Sequence, residues 1–154
     1  MAYNLGKAFE DKFKKDWKRT FPDSVIFRLR DQISKFKESS KNPCDFICYT
    51  AGKIFFTEVK SKKKNTLPWS DIRQLKLLKE YVGYTGVYPI VVGWFIDHDT
   101  VFVINVKDII QMQRDGLKSI NIRHVKNGDY NIVTVPTEKL QVYVRADYTC
   151  LLDL

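Results

Sequence analysis

The segment Asp45-Phe-Ile-Cys-Tyr-Thr-Ala-Gly-Lys-Ile-Phe-Phe-Thr-Glu58-Val-Lys60 decides the fold of this chain. It holds two stretches rich in β-branched and aromatic residues, separated by Ala51-Gly52, and this arrangement is typical of a β-hairpin. A turn of two residues pairs Asp45 with Glu58 across the strands. A turn of odd length, with a bulge at Gly52, would shift that register. We expect the even turn, which puts both carboxylates on one side of the sheet.

Two facing carboxylates need a compensating charge, because like charges opposite each other on paired strands are destabilising. Magnesium suits this sparse ligand set, since it keeps several waters and binds through one or two carboxylates plus phosphate. Lys60 shares the face of Glu58 by the strand period of two, so its ammonium can position or deprotonate a water or neutralise charge at a phosphate. With Pro43 just ahead of Asp45, the pattern indicates the core of a metal-dependent nuclease. The alternative is an ordinary solvated charge pattern at the ends of two strands.

The composition favours a polyanionic partner. The chain has 154 residues, 44% of them hydrophobic, which suits one folded domain over residues 1–154. Its net charge is +8, and no apolar run is long enough to cross a bilayer, so we expect nucleic acid rather than a membrane as partner. The three cysteines form no Cys-x-x-Cys pair, which indicates neither a disulfide framework nor a zinc site. A reducing cytoplasm is the expected location.

The periodicity of apolar residues predicts elements on both sides of the hairpin. A helix at 6–20 carries Phe9, Phe13 and Trp17 on one stripe, with Glu10 beside it. Further elements are a strand at 25–30, a helix from Ser70 or Asp71 to about Tyr81, strands at 88–96 and 100–106, a helix at 106–114 and a late strand at 140–144. The order predicts an α/β fold with a mixed β-sheet flanked by helices.

Basic residues around the hairpin are candidate DNA contacts, because each can neutralise a phosphate and release counterions. In the strand at 25–30, Ile26, Arg28 and Arg30 alternate with apolar residues and share one side. That side is expected to face solvent or DNA. Residues 31–42 are predicted to form a short basic connection or stalk-like segment, and a lysine cluster follows Lys60 directly. The candidates are Arg28, Arg30, Lys35, Lys37, Lys62, Lys63, Lys64 and Arg73. Solvated loops carry similar charges.

Five segments occur in an order that resembles one known family. They are Asn4-Leu-Gly-Lys-Ala-Phe-Glu10, the Asp45, Glu58 and Lys60 spacing, Leu67-Pro68 after a basic loop, Gly116-Leu-Lys-Ser-Ile120 and Ala146-Asp-Tyr148. Together they resemble the RecU-type Holliday-junction resolvases, a branch of the PD-ExK nuclease superfamily. The chain departs from the family pattern in having Phe56-Thr57 where an acidic residue often precedes the glutamate. Of the family's helical His-Gln pair it keeps only Gln74.

The resemblance implies a restriction-endonuclease-like fold and a homodimeric, magnesium-dependent endonuclease that makes paired nicks in four-way DNA junctions. It implies that Asp45 and Glu58 ligate the metal with the Val59 carbonyl, with manganese as the expected substitute. Lys60 then assists the attacking water, Glu10 completes the acidic site and Gln74 is a further catalytic candidate. The family's junction-entering stalk corresponds to 31–42, which is short in this chain.

Two other functions stay open from the sequence. One is a nuclease of the same superfamily that acts on free DNA ends or cuts duplex DNA as a restriction enzyme does. The other is a non-enzymatic DNA-binding protein in which the acidic pair is vestigial. The compact length suits a phage-encoded version, for which the location is the host cytoplasm.

Overall fold

A computed structural model describes residues 4–29 and 42–154. The α-helices in these ranges are α1 (Leu5–Thr20), α2 (Leu75–Lys79), α3 (Val106–Arg114) and α4 (Ile122–Asn127). The strands are β1 (Val25–Arg28), β2 (Phe46–Thr50), β3 (Lys53–Lys62), β4 (Thr66–Pro68), β5 (Val87–Phe95), β6 (Thr100–Asn105), β7 (Ser119–Asn121), β8 (Val133–Val135), β9 (Thr137–Lys139) and β10 (Val144–Ala146). None of the described helices combines the length and the apolar character that a membrane span requires.

The centre of the protein is a six-stranded sheet in the order β1-β2-β3-β5-β6-β8. Strand β3 runs parallel to β5, and the other neighbours in the sheet are antiparallel. Two small antiparallel pairs, β4 with β7 and β9 with β10, lie outside it. The predicted α/β fold with a mixed sheet flanked by helices is therefore confirmed. The predicted stalk-like segment at 31–42 lies outside the described residues except for Asn42.

Helix α1 covers one face of the sheet, as the stripe of aromatic residues predicted. The side chain of Asn4 caps its N-terminus by accepting a hydrogen bond from the Lys7 N–H at 3.1 Å. Phe9, Phe13 and Trp17 are all buried, in the same core as residues of β2, β3 and β5. Losing such a side chain costs about 3–5 kcal/mol, so this packing fixes α1, and the side chains it carries, against the sheet.

The hairpin of β2 and β3 has the even register that the sequence predicted. Ala51 and Gly52 both have positive φ, at 50° and 76°, as a two-residue primed turn requires. The strand pairs run from Thr50 opposite Lys53 to Phe46 opposite Thr57. Asp45 lies one residue before β2, and its N–H donates to the Thr57 carbonyl at 3.1 Å. This bond is offset by one residue from the ladder, whose last pair is Phe46 with Thr57, so Asp45 lies at the end of the hairpin without the direct strand pairing to Glu58 that the sequence predicted.

The prediction of one continuous helix from Ser70 or Asp71 to Tyr81 is wrong. Trp69–Asp71 form a single 3-10 turn, and the α-helix that follows, α2, has five residues. The Asp71 carboxylate does not cap a helix but accepts a hydrogen bond from Lys62 at 2.6 Å. The apolar residues Ile72, Leu75 and Leu78 of this segment are buried.

The predicted orientation of β1 is also wrong. Ile26 packs against the core under α1, and Arg28 on the same side is only partly exposed, whereas Val25 and Phe27 are 57% and 61% exposed. Arg28 can face the protein because its guanidinium lies 5.8 Å from the centre of the Phe46 ring and pairs with carboxylates of α1. The arginine side of this strand therefore faces α1 and is partly covered by it, whereas the other side is exposed.

The late strand predicted at 140–144 is wrong except at Val144, where β10 begins. Residues 140–143 form a turn that joins β9 to β10, closed by a hydrogen bond from the Leu140 N–H to the Tyr143 carbonyl at 2.7 Å. The other predicted elements are confirmed with small shifts at their ends, and α3 has the predicted bounds.

The turn at Ala51 gives a testable prediction about the hairpin. Alanine pays for its left-handed conformation, whereas asparagine tolerates it and is favoured at this position of a primed turn. Ala51→Asn should raise the free energy of unfolding by about 0.5–1 kcal/mol, and the β-branched Ala51→Val should lower it by at least as much. Urea denaturation followed by fluorescence measures both. A less stable Ala51→Asn variant would contradict the observed turn.

Candidate active site

Asp45 is fixed at the mouth of the hairpin by backbone hydrogen bonds. Its carbonyl accepts from the Leu29 N–H at 2.8 Å, and its side-chain Oδ2 accepts from the Val59 N–H at 2.9 Å. Together with the bond from its own N–H to Thr57, these contacts join the residue to both neighbouring strands. The carboxylate therefore occupies a defined position beside the Glu58 segment of β3.

Glu58 is a buried carboxylate with incomplete pairing. Its side chain is 2% exposed, and Oε1 lies 3.2 Å from the Lys60 ammonium. Its second oxygen, Oε2, is buried and has no hydrogen-bond partner among the described residues. Leaving a buried carboxylate oxygen unpaired is costly, so a further positive or hydrogen-bonding group at this oxygen would stabilise the folded protein.

The electrostatics of Glu58 point the same way. Burial raises the pKa of its carboxyl to about 8, and the nearby charge of Asp45 adds to this shift. Lys60 opposes the shift through its charge and its hydrogen bond. Because the ionised form is disfavoured without more positive charge, a cation at this position would lower the pKa of Glu58.

Val59 separates two faces of β3. Its side chain is buried in the core under α1, so its neighbours Glu58 and Lys60 point to the other side of the strand. The Lys60 side chain is 27% exposed, which leaves its ammonium within reach of solvent or substrate. This is the shared face that the spacing of the two residues predicted.

Glu10 reaches the same region from α1. Its side chain is 25% exposed, and its Oε2 accepts a hydrogen bond from Arg28 at 2.6 Å. Burial raises the pKa of Glu10 first and the charge of Asp45 second, while Arg28 and Lys60 lower it. The structure thus brings Glu10, Asp45, Glu58 and Lys60 into one electrostatically connected group.

The two strand carboxylates fit a magnesium site with few protein ligands. Within residues 4–29 and 42–154, no three His, Cys, Asp or Glu side chains converge closely enough to hold a metal ion. A metal site here would therefore be formed by Asp45 and Glu58, because Glu10 is paired with Arg28. The unpaired oxygen of Glu58 and its raised pKa are the features that such an ion would relieve. Magnesium binds in this way, through one or two carboxylates.

The lysines after Lys60 differ in how freely they can meet a phosphate. Lys62 pairs with Asp71, whereas Lys63 is exposed. The backbone at Lys64 has a φ of 70° and donates its N–H to Asp97 at 2.8 Å, and its side chain is exposed. The cluster lines an open groove together with Asn4, Leu5, Ser61 and Ile96.

Several predicted site residues lie elsewhere. Gln74 immediately precedes α2, is partly exposed and makes no hydrogen bond to the acidic group in the described residues. Arg73 is exposed beside it, and Arg28 is bound to Glu10 and Asp11. Arg30, Lys35 and Lys37 lie outside the described residues. The roles assigned to all these residues, and to the Val59 carbonyl, stay predictions.

Sequence reasoning missed three supporting contacts. Arg28 is the ionic partner of Glu10, and Asp71 and Asp97 hold the lysine segment in place. Each of these contacts joins residues far apart in the chain or on different elements. Local spacing carries no signal for them.

Comparison with known proteins supports the assignment of this chain to a family. A sequence model described as RecU, Recombination protein U, matches residues 18–148. This chain belongs to the RecU family. The resemblance drawn from its ordered segments is confirmed, and the membership supports a junction-resolving nuclease.

Individual relatives are distant. An uncharacterized SPbeta prophage-derived protein, YotM of Bacillus subtilis strain 168, is 24% identical, and the alignment covers 99% of this chain and 85% of that protein. Hjc, a Holliday junction resolvase of Archaeoglobus fulgidus, has a solved structure that superposes with a TM-score of 0.47 at 21% identity. That superposition covers 67% of this chain and 78% of Hjc.

The raised pKa of Glu58 predicts how stability depends on pH without divalent cations. The folded protein holds the Glu58 proton more tightly than the unfolded chain, so this stabilisation is full below the ordinary glutamate pKa of 4.5 and is lost as pH rises through about 8. Glu58→Gln keeps a neutral side chain. It should match the wild type at pH 4.5 and exceed it at pH 8.5 by roughly 2–4 kcal/mol, at about 1.4 kcal/mol per unit of pKa.

Urea denaturation in EDTA from pH 4.5 to 8.5 measures this difference. Asp129→Asn, in the 3-10 turn that follows α4, is the control and should run parallel to the wild type. A constant offset between wild type and Glu58→Gln would contradict the predicted titration.

Proposed function

We propose that this protein is a structure-selective endodeoxyribonuclease that resolves four-way DNA junctions by paired, metal-dependent hydrolysis of phosphodiester bonds. One observation carries the catalytic part of the proposal: the buried Glu58 carboxylate, with an unpaired oxygen, lies next to Asp45 and 3.2 Å from Lys60. Membership of the RecU family supports the choice of substrate.

The residues of the candidate site would have different roles at the scissile phosphate. Asp45 and Glu58 would hold a divalent cation, with magnesium expected and manganese as a substitute. Such a cation, when bound, neutralises phosphate charge and lowers the pKa of a water. Asp45 contributes a position fixed by the Val59 N–H, so it needs little rearrangement.

Lys60 is placed to act on the water and on the developing negative charge. Its ammonium is anchored at 3.2 Å from Glu58 and is partly exposed, so it can donate to an oxygen on the solvent side. Glu10, oriented by Arg28 and electrostatically linked to Asp45, adds negative potential to the same side of the site. Together these groups favour a cation and an oriented water over an anionic ligand alone.

The DNA backbone would follow the lysines at the end of β3. Lys63 and Lys64 expose their side chains in the groove next to Lys60, where successive phosphates of a bound strand can meet them. Four-way junctions are the proposed partner, with a homodimer supplying two cuts. The cytoplasmic location stays a prediction.

Cleavage of a labelled synthetic junction tests the catalytic proposal. With magnesium the wild type should make symmetric nicks, and EDTA should abolish them. Asp45→Ala and Glu58→Ala should bind the junction but cut at least about 10³-fold more slowly, and Lys60→Ala about 10²-fold more slowly. Asp129→Ala is a control carboxylate outside the site. Undiminished cutting by Glu58→Ala would overturn the proposed chemistry.

The same assay separates junction resolution from other nuclease activities. Parallel reactions use four-way junctions, linear duplexes with blunt ends and single strands at equal concentration. Preferential cutting of the junction is expected. Equal rates on all three substrates, or a requirement for free ends, would reject the junction assignment while leaving the metal-dependent chemistry in place.

The salt dependence of DNA binding tests the lysine groove. Each phosphate contact contributes about 0.9 to the slope of log K against log salt. Lys63→Ala/Lys64→Ala should therefore lower the slope by about 1.8 in filter-binding or anisotropy titrations. Lys107→Ala is the control. It removes an exposed lysine at the start of α3, outside the lysine groove, and should leave the slope unchanged. Equal effects of both changes would indicate nonspecific electrostatic attraction instead of defined phosphate contacts at Lys63 and Lys64.

A further inference from the structure

A second open groove runs along an exposed side of α1. Lys7, Ala8, Lys12 and Lys15 line it from the helix, and Tyr143, in the turn between β9 and β10, lines it from the other side. Helix residues that are three or four positions apart lie on one face, so the groove follows α1 along its length. We call this feature the α1 groove.

Two charged side chains of the α1 groove are already paired within the protein. The Lys12 ammonium lies 3.2 Å from the buried carboxylate of Asp16. Asp11, which also borders the groove, lies 3.2 Å from the guanidinium of Arg28. Because the one acidic residue of the groove is paired in this way, it does not cancel the charge of the other lysines.

Lys7 and Lys15 supply the positive charge that remains. Both side chains are exposed, and neither forms an ion pair with another residue that the structure describes. They are eight residues apart in the sequence, which is about 12 Å along a helix. Phosphates of one DNA strand follow each other at about 3.4 Å along the duplex axis, so the two ammonium groups would meet different phosphates.

The α1 groove adjoins the lysine groove of Lys63 and Lys64 at the start of the helix. Asn4 lines both grooves. At this point α1 lies close to β3, because a methyl group at Gly6 would be 3.6 Å from the Ser61 hydroxyl oxygen. Ser61 directly follows Lys60. The positive surface therefore begins beside the candidate active site and continues along α1.

The chemistry of the α1 groove favours a phosphate backbone as its ligand. Lysine ammonium groups bind phosphate as point charges, and such contacts read neither base sequence nor branching. Tyr143 is partly buried and packs against the core under α1, so the wall opposite the lysines is held in place by the fold. A small-molecule site encloses its ligand with convergent polar groups, whereas here two separated cations border an open channel.

We propose that the α1 groove binds the sugar-phosphate backbone of the duplex that flanks the scissile phosphate, through Lys7 and Lys15. The identity of that duplex rests on the proposed function. The groove adds affinity that is equal for a four-way junction and a linear duplex, since both present the same backbone. Its role is to hold the flanking DNA, and selection of the junction depends on other parts of the protein.

The salt dependence of DNA binding in EDTA tests this proposal. Lys7→Ala/Lys15→Ala should reduce the magnitude of the slope of log K against log salt by about 1.8, on a four-way junction and on a linear duplex alike. Combined with Lys63→Ala/Lys64→Ala, the total reduction should be about 3.6, because the four lysines contact different phosphates. Lys7→Arg/Lys15→Arg keeps both charges and should keep the slope.

Lys107→Ala/Lys126→Ala is the matched control, because it removes the same charge from exposed helix positions that border neither groove. It should leave the slope unchanged, and circular dichroism checks that every variant is folded. Four results would each overturn the proposal: an unchanged slope in Lys7→Ala/Lys15→Ala, an equal reduction in the control, a reduced slope in the arginine variant, or a reduction confined to the junction.

Cleavage assays distinguish a failure of this proposal from a failure of the proposed function. Lys7→Ala/Lys15→Ala should raise the protein concentration that gives half-maximal cutting of the junction. A wild type that cuts junctions, with an unchanged slope in this variant, would reject the α1 groove and retain the proposed function. A wild type that binds DNA without cutting it would reject the proposed function, while the salt slopes still decide the α1 groove.

Discussion

The proposed cation site depends on the burial of one carboxylate beside another. Glu58 is almost fully enclosed, and Asp45 is fixed next to it by the backbone N–H of Val59. A folded protein rarely tolerates this arrangement without compensation, because both burial and like charge disfavour ionisation. Lys60 compensates only one oxygen of Glu58. The remaining unpaired oxygen is the strongest physical reason to place a cation at this site.

The rest of the fold can be understood as support for that pair. The primed turn at Ala51 and Gly52 sets the register of the hairpin up to Phe46, the residue after Asp45. The parallel pairing of β3 with β5 buries the strand that carries Glu58 at the middle of the sheet. Helix α1, fixed by its aromatic stripe, delivers Glu10 to the same end, where Arg28 restrains it. Register, sheet order and helix packing therefore converge on one region.

The sequence predicted those features that are encoded locally. The hairpin register follows from two β-rich stretches that flank a two-residue turn, and the bounds of α3 follow from its apolar period and the Asn105 cap. The orientation of β1 could not be predicted, because residues 25–29 are apolar on both faces except at Arg28. Its direction is decided by carboxylates on α1, far away in sequence. The three-residue strands β4 and β7 were missed for a similar reason, since their pairing joins distant segments. That pairing sets Leu67 opposite Ile120 and so brings together two of the segments that resemble the RecU family.

Crystallographic location of a bound ion tests the central claim most directly. Crystals of the wild type soaked in manganese can be measured near the metal's absorption edge, with Glu58→Gln crystals treated in the same way. The account predicts an anomalous peak within coordination distance of both Asp45 and Glu58, and its loss or marked weakening in the variant. A wild-type peak at other residues, or no peak at these carboxylates at millimolar manganese, would contradict it.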